Sequence, residues 1–177
     1  MKRLINILVL FLLGTTAAFA WGREAHEVIA KIAENNLKPG VKKKIESYLG
    51  HSIVYYAKWM DEYRYTPEYN FTDAWHSCNV DEQLKYVPRS KGDFIHGLDS
   101  ATGNLREYRS LSDSAVAFNI KIIVHLIGDM HCPAHIKYQG RDASFKVKFG
   151  GDYIKPRVDA RIHDVWDYYA IQSCRIF

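Results

Sequence analysis

The chain has 177 residues, 25% of them charged, with 24 Lys plus Arg against 20 Asp plus Glu and a formal net charge of +4. That length suits one domain with a sizeable core, and the charge balance is too mild to mark a disordered chain or a dedicated polyanion binder. Three cysteines, Cys78, Cys132 and Cys174, form no CxxC pair, which excludes a four-cysteine metal site and a dense disulfide framework.

Taken in chain order, the N-terminus reads first as a targeting segment. Lys2 and Arg3 precede the apolar run INILVLFLLG, which is too short to span a bilayer. Ala18-Phe19-Ala20 is a small-x-small cleavage site, and no Cys nearby supports a lipid anchor. We expect residues 1–20 to be a signal peptide and residues 21–177 to be the folded domain. The mature protein is then periplasmic or secreted, with no membrane anchor and, after loss of Lys2 and Arg3, a net charge of +2 instead of +4. An odd cysteine count in such a protein leaves at most one bridge.

Residues 24–37 carry Ala25, Val28, Ile29, Ile32, Ala33 and Leu37 at helical spacing. Pro39-Gly40 is expected to stop that helix, with a short basic helix over 41–49 ending at Gly50. A third helix is expected over 53–65, before Pro67. Residues 79–104 are rich in Pro, Gly, Asp and Ser without clear periodicity and read mostly as loop. Ser112 or Asp113 can cap a helix running to about Met130, apolar around most of its girth and so the buried central helix. SFKVKFGGDYIKP, residues 144–156, alternates around Gly-Gly and predicts a small hairpin. A last helix is expected over 160–172, which makes the class mainly α.

The chemistry lies in two patterns, HLIGDMHCPAH at 125–135 and HDVWD at 163–167. His125 and Asp129 stand at i and i+4, as do His163 and Asp167. On a helix that spacing puts both side chains on one face. A lone His on an apolar helix is more often a satisfied core residue than a ligand. Here, however, an unpaired Asp129 on the most apolar helix would be costly to bury, and coordination satisfies it. Imidazole and carboxylate without paired thiolates favour zinc or another first-row metal over an iron–sulfur centre. HEVIA at 26–30 lacks the second His of the HExxH metalloprotease motif.

At these residues the chain resembles the S1/P1 nuclease family of zinc-dependent nucleases, whose wider fold relatives include zinc phospholipases C. WGREAH resembles the family's mature start and supplies Trp21 and His26. WMDEYR supplies Asp61 and Arg64, and AWHSCN supplies His76 and Asn79. The two motifs above complete the pattern with His125, Asp129, His135, His163 and Asp167. The resemblance implies a phospholipase C/P1 nuclease-like helical fold with three Zn2+ per chain. One zinc would be held by Asp61, His76, His125 and Asp129, and a second by His135, His163 and Asp167. The third would be held by the α-amine and carbonyl of Trp21, by His26 and by the other oxygen of Asp129. An amide nitrogen has no useful lone pair, so the Trp21 site would close only after cleavage behind Ala20.

The implied function is an exported phosphodiesterase acting on single-stranded DNA or RNA, with 3′-nucleotidase activity as a further expectation. A metal-bridging hydroxide would attack phosphorus, with Arg64 on the phosphate oxygens and Asn79 orienting the attacking oxygen. Taken alone, Arg64 reads as an ordinary surface arginine. A phospholipase C of the same fold is the alternative, against which Asp167 stands where that branch typically has Glu. A non-catalytic zinc-binding protein is another alternative. Two departures from the family pattern bear on substrate: Asn79 where many relatives have Asp, and Ser77 in place of an aromatic after the His. Cys132, where relatives often have Gln, reads as a small buried residue before Pro133 or as a thiolate ligand. Family members continue through several more helices after the second motif, so the chain reads as a C-terminally shortened member.

Overall fold

The computed structural model describes residues 22–140, 146–149 and 158–170. The expected signal peptide, Trp21, the Gly-Gly pair at 150–151 and Cys174 lie outside the described residues. The architecture is mainly α, as the sequence predicts. Helix α1 (Arg23–Asn36) and helix α2 (Pro39–Leu49) pack on the long α5 (Asp113–Met130), as do α3 (Trp59–Tyr63) and α4 (Phe94–Arg106).

Helix α5 organises the core. Ser112 caps it by accepting the Ala115 N–H at 3.2 Å. On one flank Ile122 and Leu126 join Trp59, Met60, Trp75, Cys78, Phe94 and Ala101. On another, Val116 and Ile120 join Ala30, Leu49, Ile53 and Ala57. Each such side chain contributes on the order of 1.5–3 kcal/mol by leaving water. Between α1, α2 and α5 this packing leaves an apolar cavity of about 590 Å³ bordered by Ile29, Leu37, Ile45, Ile120 and Val124.

Several elements differ from the sequence reading. The first helix ends at Asn36, just ahead of Pro39 as expected, but Pro39 and Gly40 open α2 instead of preceding it, since proline at the first helical position gives up only an N–H that has no helical partner. The helix expected over 53–65 is a 3₁₀ turn at Ile53–Tyr56 followed by the single α turn of α3. At the break the Ala57 carbonyl accepts a hydrogen bond from His125, which a continuous helix would deny it. The supposed loop over 79–104 contains β1 (Cys78–Val80), β2 (Tyr86–Val87) and most of α4. Asp93 caps α4 through the His96 N–H and is itself fixed by the Tyr86 hydroxyl at 2.9 and 3.0 Å.

Strand β1 also pairs in parallel with β3 (Ile136–Tyr138), which joins the stretch after His76 to the stretch after His135. Strands β4 (Lys146–Phe149) and β5 (Val158–Arg161) pair antiparallel, so the expected hairpin exists with its second strand later than expected. Residues 160–161 therefore belong to a strand, and the last helix starts at Ile162 as α6 (Ile162–Asp164), passing into a π turn over Val165–Tyr169. No helix among the described residues is long and apolar enough to cross a membrane.

Candidate metal centre

Eight side chains from six stretches of the chain converge near the C-terminal end of α5. That helix supplies His125 and Asp129, α1 supplies His26, and α3 supplies Asp61. His76 ends the 3₁₀ segment Asn70–His76 and His135 ends the turn Pro133–His135. Asp167 comes from the π turn, with His163 on α6 beside it. Except for half-buried His163, all of these side chains are buried.

Asp129 is the hub, and its two oxygens face different partners. Oδ2 lies 3.0 Å from His76 Nδ1 and 3.4 Å from His125 Nε2. Oδ1 lies 3.2 Å from His135 Nδ1 and 3.4 Å from His26 Nε2. Asp61 Oδ1 closes the first group at 3.5 Å from His76 Nδ1 and 3.9 Å from His125 Nε2. At the other end Asp167 Oδ2 stands 3.6 Å from His135 Nε2 and 3.2 Å from His163 Nε2, and those two rings stack at 5.1 Å.

The local sequence serves this convergence. His26 stacks on His125 with ring centroids 4.2 Å apart. That contact requires Gly128, because a β-carbon there would run into the His26 ring. The His125 Nδ1–H donates to the Ala57 carbonyl at 2.8 Å, which leaves the Nε2 lone pair facing the carboxylates.

Ion pairing alone does not account for the cluster. Both nitrogens of His26 and His135, both oxygens of Asp129, Asp61 Oδ1, His76 Nε2 and Asp167 Oδ2 are buried with no hydrogen-bond partner among the described residues. Orphaned polar atoms at this density are costly unless something absent from the polypeptide binds them. A tetrahedral zinc with bonds of about 2.1 Å sets its donor atoms roughly 3.4 Å apart. The separations among Asp61, His76, His125 and Asp129, from 3.0 to 3.9 Å, fit that spacing.

Protonation follows the same geometry. Burial would raise the Asp129 carboxyl, but His125, His135 and His26 outweigh it and hold it well below its ordinary range. Burial opposes protonation of His135 as well, yet Asp129 and Asp167 carry it up to about 10. His26, His76 and His163 are pushed down, chiefly by burial. A metal entering this cluster would displace the proton that the carboxylates otherwise hold on His135.

The remaining predicted residues fall around the rim. Arg64 is mostly buried, with Nη1 3.8 Å from Asp61 Oδ1, Nε 3.7 Å from Asp73 and Nη2 on the Tyr65 hydroxyl. It therefore borders the cluster and is not a free surface arginine. Asn79 lies on β1 opposite Lys137, and its amide makes no hydrogen bond to a described residue. Above the ligands an opening of about 310 Å³ is lined by Arg64, His76, Ser77, Lys137, Arg161 and His163, among others. Lys137 and Arg161 were not singled out by the sequence. Each stands two residues from a ligand position, at His135 and His163, and that spacing is the signal that could have found them. Cys78 and Cys132 are free and buried. Burial first, then the Asp167 carboxylate, pushes the Cys132 thiol up.

The S1/P1 Nuclease family model matches residues 21–175. The chain belongs to the S1/P1 nuclease family. It is 28% identical to Nuclease S1 of Aspergillus oryzae over 94% of this chain and 60% of that protein. It is 29% identical to Nuclease P1 of Penicillium citrinum over 86% of this chain and 59% of that protein. With Endonuclease 2 of Arabidopsis thaliana the figures are 26%, 86% and 57%. The chain thus spans about three-fifths of the length of these S1/P1 relatives.

Proposed function

We propose that the protein is an exported, zinc-dependent phosphodiesterase that hydrolyses single-stranded DNA and RNA and also removes phosphate from 3′-nucleotides. The observation that carries this reading is the set of orphaned buried nitrogens and oxygens beneath an opening lined by Arg64, Lys137 and Arg161 together with Asp73 and Asp164. Zinc held there supplies Lewis acidity, neutralising a phosphodiester and making water a competent nucleophile near neutral pH. Asp61, His76, His125 and Asp129 would hold one ion. His135, His163 and Asp167 would hold a second, and His26 with Asp129 and the Trp21 terminus a third.

The chain's own residues do the rest. His125 is locked in one tautomer by Ala57, and Asp129 shares its two oxygens between neighbouring ligand groups. Arg64 offers its guanidinium to the equatorial phosphate oxygens, where charge grows as water adds to phosphorus and the ester bond breaks. Asn79, beside Lys137 on the small sheet, would orient the attacking water. Lys137 attracts the neighbouring backbone charge of a polynucleotide, whereas Arg161 is held by Asp164 at 2.7 and 2.9 Å.

Export with cleavage before Trp21 is supported by two observations. The family match begins at residue 21. The next residue, Gly22, donates its N–H to the Asp167 carbonyl, so the chain enters the fold against a ligand-bearing turn. The test is an assay of protein that starts at Trp21 against single-stranded and duplex DNA, before and after chelation and zinc return. Preferential single-strand cleavage that chelator abolishes and zinc restores supports the reading. Cleavage indifferent to chelator, or no cleavage with zinc in excess, overturns it.

A further inference from the structure

Cys132 lies outside the ligand set described above, yet it is fully buried and its Sγ sits 3.0 Å from Asp167 Oδ1. Its backbone fixes that position. The Cys132 N–H donates to the Asp129 carbonyl at 3.0 Å, and the Cys132 carbonyl accepts the His135 N–H at 3.1 Å. The sulfur is thus built into the same turn that joins one end of the cluster to the other.

The two oxygens of Asp167 are divided between different surroundings. Oδ2 faces His135 Nε2 and His163 Nε2, and neither it nor His135 has a hydrogen-bond partner there. Oδ1 accepts from the thiol. A carboxylate only accepts hydrogen bonds, so the short contact requires the sulfur to donate. A thiol is ordinarily a weak donor, but an ionised acceptor in a buried setting strengthens the bond. The sulfur, a His135 ring nitrogen and an Asp167 oxygen lie within 4.8 Å of one another, so distance alone would admit the sulfur as a ligand. Its hydrogen bond to Oδ1 assigns it instead to orienting the carboxylate.

We propose that Cys132 is a positioning residue whose S–H holds Asp167 in the orientation that presents Oδ2 to His135 and His163. Metal affinity at this end of the cluster then depends on a thiol that never touches the ion. The inference rests on the reading that His135, His163 and Asp167 hold a metal. Outer partners of this kind typically change metal affinity about 10–100-fold when removed.

The test compares zinc affinity, by competition with a chromogenic chelator, for the native chain, Cys132→Ser and Cys132→Ala, each checked for folding by circular dichroism. Cys132→Ala should weaken one zinc equivalent about 10–100-fold and leave the others unchanged, whereas Cys132→Ser, which keeps a donor, should stay within about threefold of native. The cobalt-loaded native chain should lack sulfur-to-cobalt charge-transfer absorption. Native affinity in Cys132→Ala overturns the proposal, as does Cys132→Ser behaving like Cys132→Ala. A charge-transfer band that vanishes in Cys132→Ala overturns it by making the sulfur a ligand. A native chain that takes up no zinc defeats the metal reading and this inference together, whereas the preceding failures leave the metal reading standing.

Discussion

Asp129→Asn is the most informative single substitution, because the carboxylate touches four imidazoles through two separate oxygens. The amide keeps the shape but loses the charge and half of the accepting capacity. A metal that binds only the folded chain stabilises it by about 2.7 kcal/mol per site at a concentration 100 times its dissociation constant. For a domain of this size each kcal/mol moves the melting temperature roughly 2–4 °C, so each occupied site should raise it by about 5–11 °C. On the proposed ligand sets, only the His135, His163 and Asp167 group binds without Asp129. Asp129→Asn should therefore lose more than half of the zinc-induced rise. The assay is thermal unfolding followed by circular dichroism, with zinc and with chelator, for both proteins. Taking the difference within each protein removes the metal-free loss from breaking buried ion pairs, itself on the order of 3–5 kcal/mol. An equal zinc-induced rise in both proteins would refute the bridging role.

Other substitutions probe the frame of the site. Gly128→Ala should destabilise the chain by roughly 1–3 kcal/mol in urea titrations, because the new methyl displaces the His26 ring; native stability would mean that His26 moves freely. Arg64→Ala should lower turnover roughly 100-fold or more while zinc content stays native, and unchanged turnover would return Arg64 to an ordinary ion-pair role. Glu34, held by Lys31, Ser52 and Lys42, has its carboxyl pulled down to about 2 from an ordinary 4.5. A depressed folded-state value means its stabilisation is complete above about pH 4.5 and disappears as the pH falls toward 2. Allowing for the solvent around both lysines, Glu34→Gln should cost on the order of 1–2 kcal/mol at pH 7 and little at pH 2.5 in urea titrations. An equal cost at both pH values would contradict this.

Helices α1 and α5, which carry His26, His125 and Asp129, were the most legible part of the sequence. Periodicity located α1 and α5, and the i, i+4 pairs on and beside them marked His125, Asp129, His163 and Asp167 as partners. What eluded it depended on distant partners. The 3₁₀ turn and break at 53–58 exist alongside the long-range bond from His125 to Ala57. Helix α4 hid behind Gly97, Ser100 and Gly103, residues that read as turn formers until Phe94 and Ala101 are seen packed under Trp75 and Leu126. The role of Cys132 was invisible for the same reason, since its partner lies 35 residues away. The rim cations Lys137 and Arg161 became significant only once two strands brought them over the ligands.

The central claim is that the buried histidines and aspartates are a metal centre and not a network of ion pairs. Anomalous diffraction at the zinc absorption edge, on crystals of the protein starting at Trp21, tests that most directly. The account predicts three zinc peaks: one among Asp61, His76, His125 and Asp129, one beside His135, His163 and Asp167, and one at His26 and the chain terminus. Zinc-soaked crystals with no peak inside this cluster would contradict it.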